Sequence, residues 1–289
     1  MRKVKYPSAY RIALGSEKGL KSPKGKIVIG EKALEKPSLV EWLSNVEELV
    51  EMYPTFVEDF EERFGTKVKA ITTPLELYDQ LSEVKAGKKL LKYAKEKEIE
   101  VFPQGYVVLK AYVKRGVFKP EEKVLVIDGG FKTLNTAIAN EERVLWKRSF
   151  YDELGIKVML VDIFREELKK KYPEITANPQ VLKEAFISGK ISTSMKEVSV
   201  QKEKEKAIKT FIKVMFERLK RELDQSGQGF ESLLILGGIS HYLSPEMFKT
   251  DKKIVIAEEK EFANAVCSYE LSQGTSLDLG FGDVKGVIP

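Results

Sequence analysis

The sequence predicts an α/β protein built in two lobes. Short apolar strands alternate with amphipathic helices over the first part of the chain, and a second unit of the same kind starts at Lys123. The chain also has 289 residues, a length at which one hydrophobic core usually gives way to two.

Residues 4–14 carry apolar and aromatic side chains at strand spacing, interrupted by Pro7. A Gly/Lys/Ser-rich hairpin at 15–25 leads into a second strand at 26–30. Ser38 followed by Glu41 forms a capping-box pattern, so a helix is expected after Pro37. Leu39, Trp42, Leu43, Val46 and Leu49 recur at helical spacing, and Phe56, Phe60 and Phe64 extend the pattern to Gly65 as core residues. A strand at 68–72, a charged helix at 80–97, a strand at 99–102 and a further helix after Pro103-Gln104-Gly105 complete the first unit. In the second, strands are expected at 124–127, 133–139, 143–146 and 233–236, and helices at 154–171, 180–187, 202–224 and 262–271, before a last strand turn at 276–285.

Composition narrows the function classes. With 43% hydrophobic and 32% charged residues, Lys and Glu interspersed, the chain reads as a globular protein with a heat-adapted, ion-paired surface. A net charge of +5 mixed with acidic residues along 202–222 argues against direct DNA binding through bulk charge. The single cysteine, Cys267, excludes an internal disulfide and reads as a helix core residue, and His241 as a polar residue at a helix start. Neither a signal peptide nor an 18-residue apolar run is found, so a cytoplasmic protein without direct membrane contact is expected.

Three apolar strands end in glycine-bearing turns: Asp128-Gly129-Gly130, Gly237-Gly238 and Asp278-Leu279-Gly280-Phe281-Gly282-Asp283-Val284-Lys285. Glycine permits positive φ and lets backbone N–H groups approach phosphate oxygens without a Cβ in the way. Two of the turns add an aspartate, and carboxylates suit magnesium, which keeps most of its waters and takes few protein ligands. No Walker loop and no G-x-G-x-x-G fingerprint occurs.

Together these turns resemble the actin superfamily, in its ParM and archaeal-actin form. Asp278 to Lys285 is similar to the first phosphate loop, Asp128-Gly129-Gly130-Phe131-Lys132-Thr133 to the second, and Leu234-Ile235-Leu236-Gly237-Gly238 to the adenosine motif. Ile71-Thr72-Thr73-Pro74-Leu75 resembles a strand end of the ParM type, and Val101-Phe102-Pro103-Gln104-Gly105 the segment whose Gln or Glu orients attacking water. Lys26-Ile27-Val28-Ile29-Gly30-Glu31-Lys32-Ala33 is similar to the strand written Val-Gly-x-x-Ala in those proteins. Asn135 departs from the pattern, standing where many such loops carry an acidic residue.

The resemblance implies an actin-like two-lobed fold, ribonuclease H-like lobes around a nucleotide cleft, with lobe I at 1–118 and 259–289 and lobe II at 119–258. It also implies a circular permutation. In the family the first phosphate loop opens the chain and a Pro-Ser strand follows; here that loop comes last and Tyr6-Pro7-Ser8 stands near the beginning.

By the same resemblance, Asp278 and Asp128 hold a hydrated Mg2+, Lys285 reaches the phosphates and Gln104 orients water. Gly129, Gly130, Thr133, Gly280 and Gly282 line the phosphates, and Gly237 and Gly238 the adenosine. Lys202, Glu203 and Lys206 are open alternatives for base contacts, each equally readable as a solvated helix face. The implied activity is a Mg-dependent ATPase, with GTP as the alternative nucleotide. Its implied partners are other copies in a head-to-tail filament and an adaptor protein, in plasmid segregation or a cytoskeleton. Two other classes remain, a non-polymerising adaptor of the same fold and a small-molecule kinase of the wider superfamily.

Overall fold

The computed structural model describes residues 1–173, 175, 177, 179–192, 197–248 and 250–289. In chain order, strands β1 (Arg2–Pro7), β2 (Ala9–Ile12), β3 (Leu20–Ser22) and β4 (Gly25–Ile29) precede the short helix α1 (Glu31–Leu34) and strand β5 (Glu41–Trp42). Helix α2 (Val46–Phe64), strand β6 (Ala70–Thr73), helices α3 (Leu75–Tyr78) and α4 (Lys85–Lys97), strand β7 (Glu100–Pro103) and helix α5 (Tyr106–Lys114) follow. Next come β8 (Val124–Gly129), β9 (Thr133–Ala139), β10 (Val144–Tyr151), α6 (Phe164–Lys171), α7 (Pro179–Ser188), β11 (Lys190–Ser192), β12 (Glu197–Ser199) and α8 (Gln201–Ser226). The chain closes with β13 (Ser232–Gly237), β14 (Lys253–Ile256), α9 (Ala263–Ser272), β15 (Ser276–Leu279) and β16 (Asp283–Ile288).

Three expectations are corrected. No helix starts at Ser38. Pro37–Leu39 closes one 3₁₀ turn, Val40 is extended, and Glu41 and Trp42 pair with Tyr10 and Ala9 of β2, leaving Leu39 and Trp42 exposed. The cap is Asn45, whose Oδ1 accepts from Glu48 N–H at 2.9 Å while the Glu48 carboxylate accepts from Ser44 N–H at 2.7 Å, and α2 ends at Gly65 with φ +62° as expected. The helix expected at 80–97 starts only at Lys85, because the chain folds back so that a Cβ on Gly87 would lie 2.3 Å from the Leu81 carbonyl oxygen. The helix expected at 154–171 is a π-helix over Val158–Ile163 that continues as α6.

Two five-stranded sheets share one spatial order. The first runs β1-β16-β15-β6-β7 and the second β10-β9-β8-β13-β14. In the first, β15 is antiparallel to β16 and parallel to β6, which is parallel to β7. In the second, β8 is parallel to β13, which is parallel to β14. Position by position, β15, β16, β1, β6 and β7 stand where β8, β9, β10, β13 and β14 stand in the second sheet. A small antiparallel sheet, β3-β4-β2-β5, adjoins them in sequence.

The described residues group into two compact units, Met1–Gly130 with Asn135–Ser149 and Phe230–Pro289, and Phe131–Leu134 with Phe150–Gly229. In the first, α5 and α9 pack through Val108, Tyr112, Ala263 and Cys267 with Val124, Val126, Leu234 and Leu236 of the second sheet. The other side of α9 meets the first sheet, with Ala265 and Val266 against Val287. A helix flanked by two sheets must be apolar nearly all round, and residues 263–268 are all buried. In the second unit α8 turns Ala207, Phe211, Met215 and Leu219 inward at four-residue spacing, and Phe164 and Phe186 meet edge to face at 5.1 Å. There Glu203 is buried and pairs with Lys171 at 3.3 Å. No helix among the described residues is long and apolar enough to cross a membrane.

Candidate functional site

Strand pairing lines up one row of side chains. Asp278 on β15 lies directly opposite Lys285 on β16 and beside Thr72 on β6. The seven-residue spacing from Asp278 to Lys285 is the register of this hairpin: its tip, 280–282, is closed by Gly280 N–H on the Asp283 carbonyl at 3.0 Å. Directly opposed residues project from the same face, so a carboxylate, an ammonium and a hydroxyl meet there. Asp278 is 3% exposed; its Oδ1 accepts from Thr72 Oγ1 at 2.5 Å and Gln104 Nε2 at 2.9 Å, and its Oδ2 lies 3.7 Å from Lys285 Nζ.

The frame under this row is cross-linked by hydrogen bonds. Leu279 N–H donates to the Tyr53 hydroxyl at 3.1 Å, and that hydroxyl donates to the Thr72 carbonyl, which ties β15 to β6 beside the carboxylate. Gln104 follows Pro103 at the end of β7, and its own N–H donates to the Thr73 carbonyl at 2.8 Å. Gly105, at φ +74°, then turns the chain into α5.

Asp128 reaches the same place from the second sheet. It stands one residue before the end of β8, 5% exposed, and its Oδ2 accepts from Asn264 Nδ2 at 2.8 Å. Burial pushes its carboxyl up to about 6; the hydrogen bond from Asn264 opposes this, the charge of Asp278 adds to it, and Lys285 partly offsets it.

Glycine is required where β8 and β13 end together. Gly237, paired with Gly129, has φ +79°, and a Cβ there would fall 2.5 Å from Asp128 Oδ1 and 2.6 Å from the Gly129 carbonyl oxygen. Gly237→Ala is therefore expected to lower stability by about 3 kcal/mol through combined strain and overlap, read as a fall in the urea midpoint at constant m. A Cβ at Gly129 would overlap Ile239 Cγ2 at 2.4 Å.

The structure thus brings together Gln104, Asp128, Asp278, Lys285, Gly129 and Gly237. Gly280 and Gly282 lie in the β15–β16 turn, Gly130 follows β8, and Gly238 opens a 3₁₀ turn, Gly238–His241. Thr133 opens β9 in the second compact unit. Asn135 Oδ1 accepts from Ser149 Oγ at 2.8 Å. His241 sits 3.3 Å from Glu261, and Cys267 is buried.

Sequence reasoning missed Tyr53, Asn264 and the Thr72 hydroxyl as members of this cluster, since their partners come from distant segments. It also missed Ser8. The Ser8 Oγ is fully buried with no hydrogen-bond partner, while its N–H donates to the Gly282 carbonyl at 3.3 Å. Only the Tyr6-Pro7-Ser8 motif at the end of β1 signalled it.

No protein-family model matches the chain, and no curated protein matches it in sequence. Solved structures do. The archaeal actin homologue Ta0583 is 16% identical, with a TM-score of 0.70 over 93% of this chain and 92% of that one. A ParM from Clostridium botulinum, solved as a 15-stranded filament, is 17% identical, with a TM-score of 0.65 over 93% and 92%. MreB5 of Spiroplasma citri bound to ADP is 14% identical, with a TM-score of 0.56 over 92% and 88%. The chain has the actin-like fold.

Proposed function

We propose that this chain, which has the actin-like fold, is a nucleotide-dependent, filament-forming ATPase. The observation that carries the reading is the buried row Thr72, Asp278 and Lys285, joined by Gln104 and faced by Asp128 from a second sheet of the same strand order.

The residues fit a hydrated magnesium ion and a polyphosphate. Two buried carboxylates of like charge interact, and burial holds one of them well above the usual carboxylate range, a penalty that a bound cation relieves. Ser8 Oγ is an unused donor beside Gly282. Among the described residues no three acidic, His or Cys side chains converge, and magnesium held through its own waters needs no such cage.

Asp278 and Asp128 would hold Mg2+ through water, and a bound ion supplies charge neutralisation to the phosphates. Lys285 reaches the β- and γ-phosphates of ATP, with GTP as the alternative. Gly129, Gly130, Gly280 and Gly282 line the phosphates, and Gly237 and Gly238 the adenosine. Gln104 spends an amide N–H on Asp278, which leaves its carbonyl oxygen to accept from the attacking water. Positioning and neutralisation are most of what phosphoryl transfer requires.

The shared sheet order supports a circular permutation, since β15, β16 and β1 take the places that β8, β9 and β10 take in unbroken chain order. Lobe I, 1–118 with 259–289, contributes all of the first sheet, and lobe II, 119–258, all of the second. The ParM neighbour is a filament and MreB5 binds ADP, which supports head-to-tail self-association and nucleotide binding here. A cytoplasmic role in plasmid segregation or a cytoskeleton, through an adaptor protein and without direct DNA or membrane contact, is proposed on the motif resemblance alone.

Purified protein mixed with Mg2+ and ATP, GTP or no nucleotide is expected to scatter light and release phosphate with ATP, and to show filaments by negative-stain electron microscopy. Tight nucleotide binding with neither scattering nor filaments at any concentration overturns the polymer reading.

A further inference from the structure

We infer that Asn264 is a positioning residue that holds Asp128 and the Gln104–Gly105 turn at one fixed separation. Asn264 lies in the first turn of α9, 5% exposed, among residues that are otherwise apolar or small. A buried amide must be hydrogen-bonded at both ends or cost stability, and this one is. Its Oδ1 accepts from Gly105 N–H and its Nδ2 donates to Asp128 Oδ2, both at 2.8 Å. A backbone N–H can only donate, so the amide has one orientation.

Those two bonds complete a continuous bridge between the carboxylates. Asp278 Oδ1 accepts from Gln104 Nε2; the next residue, Gly105, donates to Asn264; Asn264 donates to Asp128. The bridge joins the end of β15 in the first sheet to the end of β8 in the second, and α9 packs on both sheets. Gln104 is held on its other side by its N–H on the Thr73 carbonyl at 2.8 Å. Its side chain is thereby aimed by neighbours rather than by its own rotamer freedom. The bond to Asn264 also occupies Asp128 Oδ2, and Oδ1 lies against Gly237.

This inference rests on the reading of Asp128, Asp278 and Gln104 as the phosphoryl-transfer site. In the 289-residue chain, Asn264→Ala is expected to lower kcat for phosphate release from Mg-ATP by about 10–100-fold, the scale of a small misplacement of reacting groups, with nucleotide affinity changed less than about threefold. In a Gln104→Ala background the same substitution should cost far less, because both act through one geometry. Gly105 amide exchange in nucleotide-free protein should rise at least about tenfold as its acceptor is lost.

Asn264→Asp keeps the acceptor for Gly105 and sets a second carboxyl against Asp128, which donates to it only while the pair shares a proton. It should preserve Gly105 protection and lose phosphate release as the pH rises and that proton leaves, and its Gly105 exchange serves if Asn264→Ala does not fold. An equal kcat loss in both backgrounds makes Asn264 merely structural and overturns the inference. So does unchanged Gly105 exchange in Asn264→Ala. A wild-type protein that releases no phosphate defeats the functional reading instead, and Gly105 exchange, which needs no turnover, still decides whether Asn264 braces the turn.

Discussion

Asp278→Asn is expected to cut phosphate release by about 10²–10³-fold, the usual cost of removing one preorganised charge-handling group from a phosphoryl-transfer site. The substitution is close to isosteric. The Asn oxygen still accepts from Thr72 and Gln104, so the packing of β6, β15 and β7 survives and the melting temperature should move only by a few degrees. What is lost is one of two negative charges and the attraction to Lys285 at 3.7 Å. Nucleotide affinity should therefore fall in the presence of magnesium and change little when the metal is chelated. Wild-type turnover in this variant would remove Asp278 from the site.

Asp128→Asn should do something opposite in the empty protein: stabilise it. The carboxyl, buried at the end of β8, titrates at about 6 in the folded chain against about 4 for an unfolded Asp. A raised carboxyl pKa means that the folded state binds its proton more tightly than the unfolded chain does. The penalty for holding the ionised form is absent below about pH 4, grows between pH 4 and 6, and is complete above that range. Two pK units correspond to about 3 kcal/mol, so the Asn variant, measured in chelator without nucleotide, should gain about 1–3 kcal/mol at pH 7.5 and nothing at pH 4. Asn at this position can still accept from Asn264. Urea denaturation at the two pH values checks both the sign and the window. A variant less stable than wild type at pH 7.5 would show that the carboxylate is not under strain. With Mg-ATP the order should reverse, since only the wild-type carboxylate gains from a bound cation.

Much of this arrangement was legible in the sequence because its signals are local. Apolar runs closed by Asp128-Gly129-Gly130 and Gly237-Gly238 read directly as buried strands ending in turns, and β8, β9 and β13 fall where expected. The seven-residue interval from Asp278 to Lys285 is a hairpin register, which is also local. The expectation failed where two signals of equal form competed. Ser38 with Glu41 and Asn45 with Glu48 satisfy the same capping pattern, and only the pairing of Glu41 and Trp42 with β2, set by a strand some thirty residues earlier, decides for Asn45. The edge strand β14 was missed because four residues, Lys253–Ile256, carry too short a pattern without their parallel partner β13. Asn264, Tyr53 and Thr72 were invisible as site residues for a further reason: each matters through a partner 136, 226 or 206 residues away. Nothing in the local pattern marks a polar residue on a buried helix as a brace rather than a packing compromise.

The most direct test of the central claim is a structure of the protein with Mg2+ and a non-hydrolysable ATP analogue. The γ-phosphate is expected beside Lys285 and the 280–282 turn, a hydrated magnesium ion between Asp278 and Asp128, and the purine against Gly237-Gly238. A nucleotide seated elsewhere, or no nucleotide at millimolar concentration with Asp128 and Asp278 unchanged, would contradict it.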